Sequence, residues 1–280
     1  MSEIASEVLD RIVARAVEED CGVGDLTTQS IVATDLVARA ELLAKEDLVL
    51  AGWPVLVRTF QRVCPLLAID AAFADGRRIE GGTIIGTVRG LATKILTGER
   101  VALNFLQRLS GIATLTRKYV DAIAGTGIIV LDTRKTTPGL RILEKYAVRV
   151  GGGSNHRFGL FDGVLIKENH IVAAGGIGEA VRRSRKWVDH LKKIEVEVTS
   201  LEELDQAVKA GADVVLLDNM PVEQVREAVA KAGGRVQLEV SGGIQLDNIR
   251  DYAQTGVEFI SVGALTHSAR AVDISLELHL

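Results

Sequence analysis

Polar and apolar positions change their period near Gly127, and the two halves of the chain predict different architectures. Ile4, Val8, Leu9, Ile12, Val13 and Val17 recur at three- and four-residue intervals, the spacing of an amphipathic helix. Residues 36–52, LVARAELLAKEDLVLAG, read as two strands around a charged turn, and residues 66–90 add further strands separated by Asp-Gly and Gly-Gly turns. Helical spacing returns over residues 98–123 through Val101, Phe105, Leu109, Ile112, Leu115, Tyr119 and Ile123, predicting a long helix that bridges two domains.

Beyond Gly127, six short β-branched runs alternate with helical segments: IIVLD, GVLIKE, KIEVEV, DVVLLD, RVQLEV and VEFISVG. This alternation builds parallel sheets with helical crossovers. A seventh strand is expected at YAVRVGG. The remaining length is short for a typical eight-unit barrel of about 250 residues, so the expectation is an incomplete barrel, with an open doubly wound sheet as the alternative. The fold class is therefore α/β: an α+β N-terminal domain followed by an incomplete barrel of about seven strands.

The apolar runs end in polar residues: Asp132 to Lys135, Lys167, Glu197, Asp218, Glu239 with Ser241, and Gly263. In parallel α/β folds the carboxyl ends of the strands face the site. A lone strand-end acid is usually a turn residue or half of an ion pair, but six such ends in register argue for a site. Strand alternation puts Glu195 and Glu197 on one face, with Val196 and Val198 on the other. VSGGI and SVGAL, after the last two strands, let backbone N–H groups approach an anion and favour a sugar-phosphate ligand.

Charge sharpens this picture. The 280 residues carry a net charge of −4, which argues against a broad nucleic-acid surface. Yet residues 133–167 hold seven Lys/Arg against two acids. Arg141, Lys145 and Arg149 recur at helical spacing and read as solvated, outside the site. Arg134, Lys135, His156, Arg157 and Lys167 lie at strand ends or on the glycine-rich turn. Guanidinium forks suit carboxylates, and lysine serves phosphate as a point charge, so the expected ligands carry several negative charges. Cys21 and Cys64 have no metal or disulfide spacing, which points to a reducing, cytoplasmic setting. No apolar run is long enough to span a membrane.

The ordered series EDCGVGDLTT, AKEDLVLAG, GERVALNFLQRLSGIAT, LDTRKTTPGLRILEKYAVRVGGGSNHRFGLFDGVLIKENH, EVEV, LLDNM and SGGI resembles the quinolinate phosphoribosyltransferases over essentially the whole chain. The resemblance implies an open-faced sandwich domain over residues 1–110, with a C-terminal helix over 268–280 packing on it, and a barrel over 111–267. It implies a pentosyltransferase of the de novo NAD branch, nicotinate-nucleotide diphosphorylase (carboxylating), EC 2.4.2.19. Quinolinate and phosphoribosyl pyrophosphate would give nicotinate mononucleotide, pyrophosphate and CO₂. Thr133, Arg134, His156, Arg157 and Lys167 would surround the quinolinate carboxylates, and Arg100 would be supplied across a homodimer interface. Lys135, Glu197 and Asp218 would lie near the ribose, the pyrophosphate and Mg²⁺, the two acids meeting the metal only through Mg²⁺–phosphoribosyl pyrophosphate. Ser241, Gly242, Gly243, Gly263, Ala264 and His267 would serve the phosphate. Lys135, Lys167, Glu197 and Asp218 are the expected catalytic groups. Alternatives are the molybdenum-transport-associated paralogue, a Schiff-base aldolase using Lys167, and a sugar-phosphate-binding protein without turnover.

Overall fold

The computed structural model describes residues 4–280, which fall into two compact units. The first comprises residues up to 117 together with 136–152 and 265–280; the second comprises 118–135 and 153–264.

In the first unit, helices α1 (Ser6–Cys21), α2 (Leu26–Ile31) and α3 (Trp53–Val63) accompany a four-stranded antiparallel sheet. Its order is β12 (Ile274–His279), β1 (Val37–Ala44), β5 (Ile84–Leu91), β3 (Ala68–Ala71). A two-stranded ribbon pairs β2 (Leu48–Val49) with β4 (Arg78–Ile79). Alternation along β1 buries Ala38, Ala40, Leu42 and Ala44, and this face packs with Ile85 and Val88 of β5 and Leu56 and Phe60 of α3. Ile95, Leu103 and Leu106 of α4 (Ala92–Ala122) complete the core. The turn into α3 is held by Asp75, whose carboxylate accepts from Gly52 N at 2.7 Å, Trp53 N at 3.1 Å and Tyr146 Oη at 2.7 Å. Burial outweighs these bonds and raises the Asp75 pKa.

Three expectations are corrected here. Residues 268–280 form no helix: β12 pairs antiparallel with β1, Ala40 opposite Leu278 and Leu42 opposite Leu276. YAVRVGG is not a strand but the end of α5 (Arg141–Val150). Nor is α5 a solvated helix, because Lys145 is 1% exposed and Arg141 and Arg149 are half-buried.

The second unit carries a six-stranded parallel sheet in the order β6 (Ile129–Leu131), β11 (Phe259–Ser261), β10 (Gln237–Ser241), β9 (Val214–Asp218), β8 (Ile194–Val198), β7 (Val164–Ile166). All six predicted runs are strands. The crossovers are α6 (Glu168–Ala174) with α7 (Ile177–Trp187), then α8 (Leu201–Ala210), α9 (Val222–Ala232) and α10 (Ile249–Ala253). A last short helix, α11 (Ala264–His267), follows β11. β7 through β11 are neighbours in chain order and β6 joins the far side of β11, which is barrel order. One residue from each strand (Leu131, Val164, Glu195, Val214, Glu239 and Phe259) lines a single cavity of about 370 Å³, so the sheet curls around it. Among the described residues, β6 and β7 do not pair. In place of a seventh strand, Ser154 makes a one-residue parallel bridge to Leu131.

Candidate active site

The carboxyl edge of the parallel sheet collects most of the expected residues. Lys167 follows β7 and Glu197 lies near the end of β8, and the Lys167 ammonium bonds Glu197 Oε2 directly. Lys167 is also the N-cap of α6, its backbone N–H donating to His170 Nδ1 at 3.0 Å. Two strands away, Asp218 ends β9 and accepts from Asn219 Nδ2 at 2.9 Å. Asn219 is the only non-glycine residue with positive φ among the described residues, at 54°. Its N–H donates to Ser241 O at 2.8 Å, which joins the ends of β9 and β10. Gly242 follows at φ 89°, and a Cβ there would overlap the Asn219 amide, so only glycine fits. Gly243, at φ 65°, completes the turn, and Gly263 and Ala264 follow β11.

The segment after β6 is pinned from beneath. Asp132, fully buried, accepts from Asn155 Nδ2 at 2.6 Å and His156 N at 2.9 Å. Ser154 N donates to Val130 O at 2.8 Å, and Asp132 N to Ser154 O at 3.1 Å. GGGSNHR is therefore a shelf bound along β6. Above Asp132, Thr133 Oγ1 accepts from Lys135 N at 3.1 Å. Arg157 Nη1 donates to Gly163 O at 3.1 Å. Burial lowers the Arg157 pKa, and the positive charge of Arg134 lowers it further against Glu195 and Asp162. Two guanidiniums close enough to oppose each other suit a dianionic ligand.

His156 is placed differently from the other expected residues. Its ring turns inward, with Nε2 2.9 Å from Glu195 Oε2 and 3.8 Å from Glu239 Oε2. Arg100 and His267 belong to the first unit; the Arg100 side chain is 59% exposed, and His267 Nδ1 lies 2.7 Å from Ser268 Oγ. Asp132 and Glu239 were expected only as polar strand ends, with no role assigned, and Asn155 and Asn219 were not expected at the site.

Among the described residues, the acids and histidine compact enough to hold an ion are His156, Glu195 and Glu239; Glu197 and Asp218 lie outside that group, Glu197 bonded to the Lys167 ammonium and Asp218 accepting from Asn219 Nδ2.

A curled parallel sheet with paired cations and acids at its carboxyl edge and glycine turns after its last two strands defines a transferase that handles phosphorylated sugars. Residues 25–110 match the N-terminal domain of quinolinate phosphoribosyl transferase and residues 112–277 its C-terminal domain. A probable nicotinate-nucleotide pyrophosphorylase [carboxylating] of Bacillus subtilis is 45% identical over 262 residues, 94% of this chain and 90% of that one. The crystal structure of NadC from Streptococcus pyogenes is 41% identical, with a TM-score of 0.96, covering 100% of this chain and 99% of that one. The nicotinate-nucleotide pyrophosphorylase structure from Francisella tularensis is 44% identical at a TM-score of 0.95, covering 99% and 98%. The chain belongs to the quinolinate phosphoribosyltransferase family. Its activity is that of a nicotinate-nucleotide pyrophosphorylase (carboxylating), EC 2.4.2.19, in de novo NAD biosynthesis.

Proposed function

We propose that quinolinate binds with its two carboxylates toward Arg134, Arg157 and Lys167, beside Thr133, while phosphoribosyl pyrophosphate enters with Mg²⁺ toward Lys135, Glu197 and Asp218. The observation that carries this reading is the Lys167–Glu197 pair at the carboxyl ends of adjacent strands. A substrate carboxylate competing for Lys167 releases the charge of Glu197, and that charge then serves the ribose.

The pyridine nitrogen attacks ribose C1 as the C1–oxygen bond to pyrophosphate breaks. Positive charge builds on the ribose, and the fixed carboxylates Glu197 and Asp218 stabilise it. Lys135 and the substrate's Mg²⁺ offset the charge on departing pyrophosphate. As CO₂ leaves, the electron pair of the C–CO₂⁻ bond stays on the ring carbon, stabilised by the positive charge of the adjacent quaternised nitrogen, and that carbon then takes up a proton. No protein nucleophile takes part. Ser241, Gly242, Gly243, Gly263 and Ala264 offer backbone and hydroxyl donors to the 5′-phosphate, and His267 is assigned to the same phosphate.

The proposal extends to a homodimer in which Arg100 is lent to the partner's site, and to a cytoplasmic setting. The setting is supported by two half-buried free thiols, Cys21 and Cys64. Among the described residues, no helix is long and apolar enough to cross a membrane.

The test is purified protein with quinolinate, phosphoribosyl pyrophosphate and Mg²⁺. Nicotinate mononucleotide and CO₂ are expected; their absence rejects the reading. Borohydride with a keto acid should leave Lys167 unmodified, since trapping there would favour an aldolase. Mixing inactive Arg100→Ala and Lys167→Ala chains should restore activity in heterodimers, and failure despite verified subunit exchange contradicts the shared site.

A further inference from the structure

Glu195 and Glu239 are 7% and 2% exposed, and the transfer chemistry leaves both unused. They face the cavity enclosed by the six strands, together with His156 and Arg157. Arg157 N donates to His156 Nδ1 at 2.7 Å, so the hydrogen of the neutral imidazole resides on Nε2. That nitrogen points at Glu195 Oε2, 2.9 Å away, leaving Glu239 Oε2 at 3.8 Å. One N–H thus meets two carboxylates. The Ser261 hydroxyl bonds Glu239, but Oε1 of each acid is buried with no hydrogen-bond partner among the described residues. Two carboxylates this close and this buried cannot both ionise without a large penalty.

We propose that Glu195 and Glu239 share one proton, carried by Glu239, and form a positioning unit beneath the quinolinate carboxylates. Glu195 fixes the His156 ring, His156 fixes the backbone of Arg157, and the pair contributes one negative charge instead of two. The charge balance depends on the groups facing the same cavity. Arg157, with Arg134 beside it, Lys192 and Lys193 are cationic, and Asp162 is the other acid. Burial and the charge of Glu195 push Glu239 up to about 8, against the opposing effects of His156 and Ser261. A metal ion is the rival occupant, since the three side chains are close enough to hold one. However, the ring nitrogen aimed at the acids carries the hydrogen, and a metal needs its lone pair.

The placement beneath quinolinate rests on the substrate reading of Arg157; the shared proton does not. The test therefore has two arms. Infrared spectra of the wild-type protein at pH 7 should show a buried carboxylic-acid carbonyl band that is missing in Glu239→Gln. In kinetics, the quinolinate KM of the wild type should rise about tenfold as the second carboxylate ionises between pH 7 and 9. In Glu239→Gln it should stay flat, with the phosphoribosyl pyrophosphate KM unchanged in both. If Glu239→Gln does not fold, titration of the wild-type acid band through pH 8 decides. No acid band at pH 7 overturns the proposal, as does an unaltered pH rise in Glu239→Gln or a stoichiometric divalent metal lost on that substitution. An acid band in a protein that does not turn over quinolinate would reject the substrate reading alone.

Discussion

Glu144 Oε1 accepts two nitrogens of a single guanidinium, Arg108 Nε at 3.2 Å and Nη2 at 2.8 Å, where Glu144 is fully buried. The same carboxylate accepts from Thr137 N at 3.0 Å and Thr137 Oγ1 at 2.8 Å. Arg108 also donates to the carbonyls of Thr266 and Ala269. Two residues thereby tie together three separate stretches of the first unit: α4, residues 137–144, and residues 266–269.

Glu144 is the buried member of the pair, whereas the Arg108 side chain is 26% exposed, so removing Glu144 costs the hydrogen bonds to its carboxylate and not a stranded buried charge. Glu144→Ala is expected to destabilise the protein by about 2–3 kcal/mol, read from the urea midpoint. Glu144→Gln should lose less, because it keeps a carbonyl acceptor. A loss below about 1 kcal/mol for Glu144→Ala would place this pair with weak surface ion pairs.

At the carboxyl edge, Lys167→Ala should lower kcat/KM for quinolinate by about a hundredfold or more, near 2.7 kcal/mol of transition-state stabilisation. Glu197→Gln should fall mainly in kcat, as expected of a group acting on developing charge. Arg157→Ala should raise the quinolinate KM far more than that of phosphoribosyl pyrophosphate. Steady-state kinetics with each substrate varied in turn separates these outcomes, and equal effects on both substrates would contradict the Arg157 assignment.

Gly242→Ala places a methyl group against the Asn219 amide at a φ that L-residues avoid. The strain is expected to be about 1–3 kcal/mol and to displace the turn that serves the phosphate. The phosphoribosyl pyrophosphate KM should therefore rise while that of quinolinate changes little. Equal shifts in both would argue that the turn does not meet the sugar phosphate.

The buried acids also make a stability prediction. Because the Glu239 pKa is raised to about 8, the folded state keeps a proton that the unfolded chain releases above the ordinary carboxyl range. Stability is full below that range and falls as pH rises toward 8, at no more than about 1.4 kcal/mol per pH unit for one proton. Glu239→Gln lacks this dependence. Urea unfolding at pH 5, 6.5 and 8 should show the variant gaining on the wild type as pH rises, and parallel curves would count against a raised pKa. Asp75, raised in the same direction, is present in both proteins and cancels.

The six parallel strands were legible because buried parallel strands read as β-branched runs, each with a polar residue or glycine at or beside its end. α5 was not legible over YAVRVGG. Arg141, Lys145 and Arg149 mark a helical period, but the run Tyr146 to Gly152, with Val148, Val150 and the glycines, imitates a strand, and Leu143 to Val148 are all buried. β12 was misread although Ile274, Leu276 and Leu278 alternate with Ser275, Glu277 and His279. Its short length hid a period of two. Lys145 was expected in solvent, but its burial depends on what surrounds α5, which linear spacing does not report. Glu195 and Glu239 lie far apart in the chain and meet only when β8 and β10 curl around one cavity, so neither run alone could reveal their contact.

β12 has a consequence for biosynthesis. Until residues 274–279 are made, β1 presents an unpaired edge whose alternate residues are apolar, an invitation to other chains. During synthesis that edge, complete at Ala44, waits for a strand that begins only at Ile274. Refolding yield should therefore depend on protein concentration, and a peptide copying residues 274–279, added in excess, should compete for the same edge.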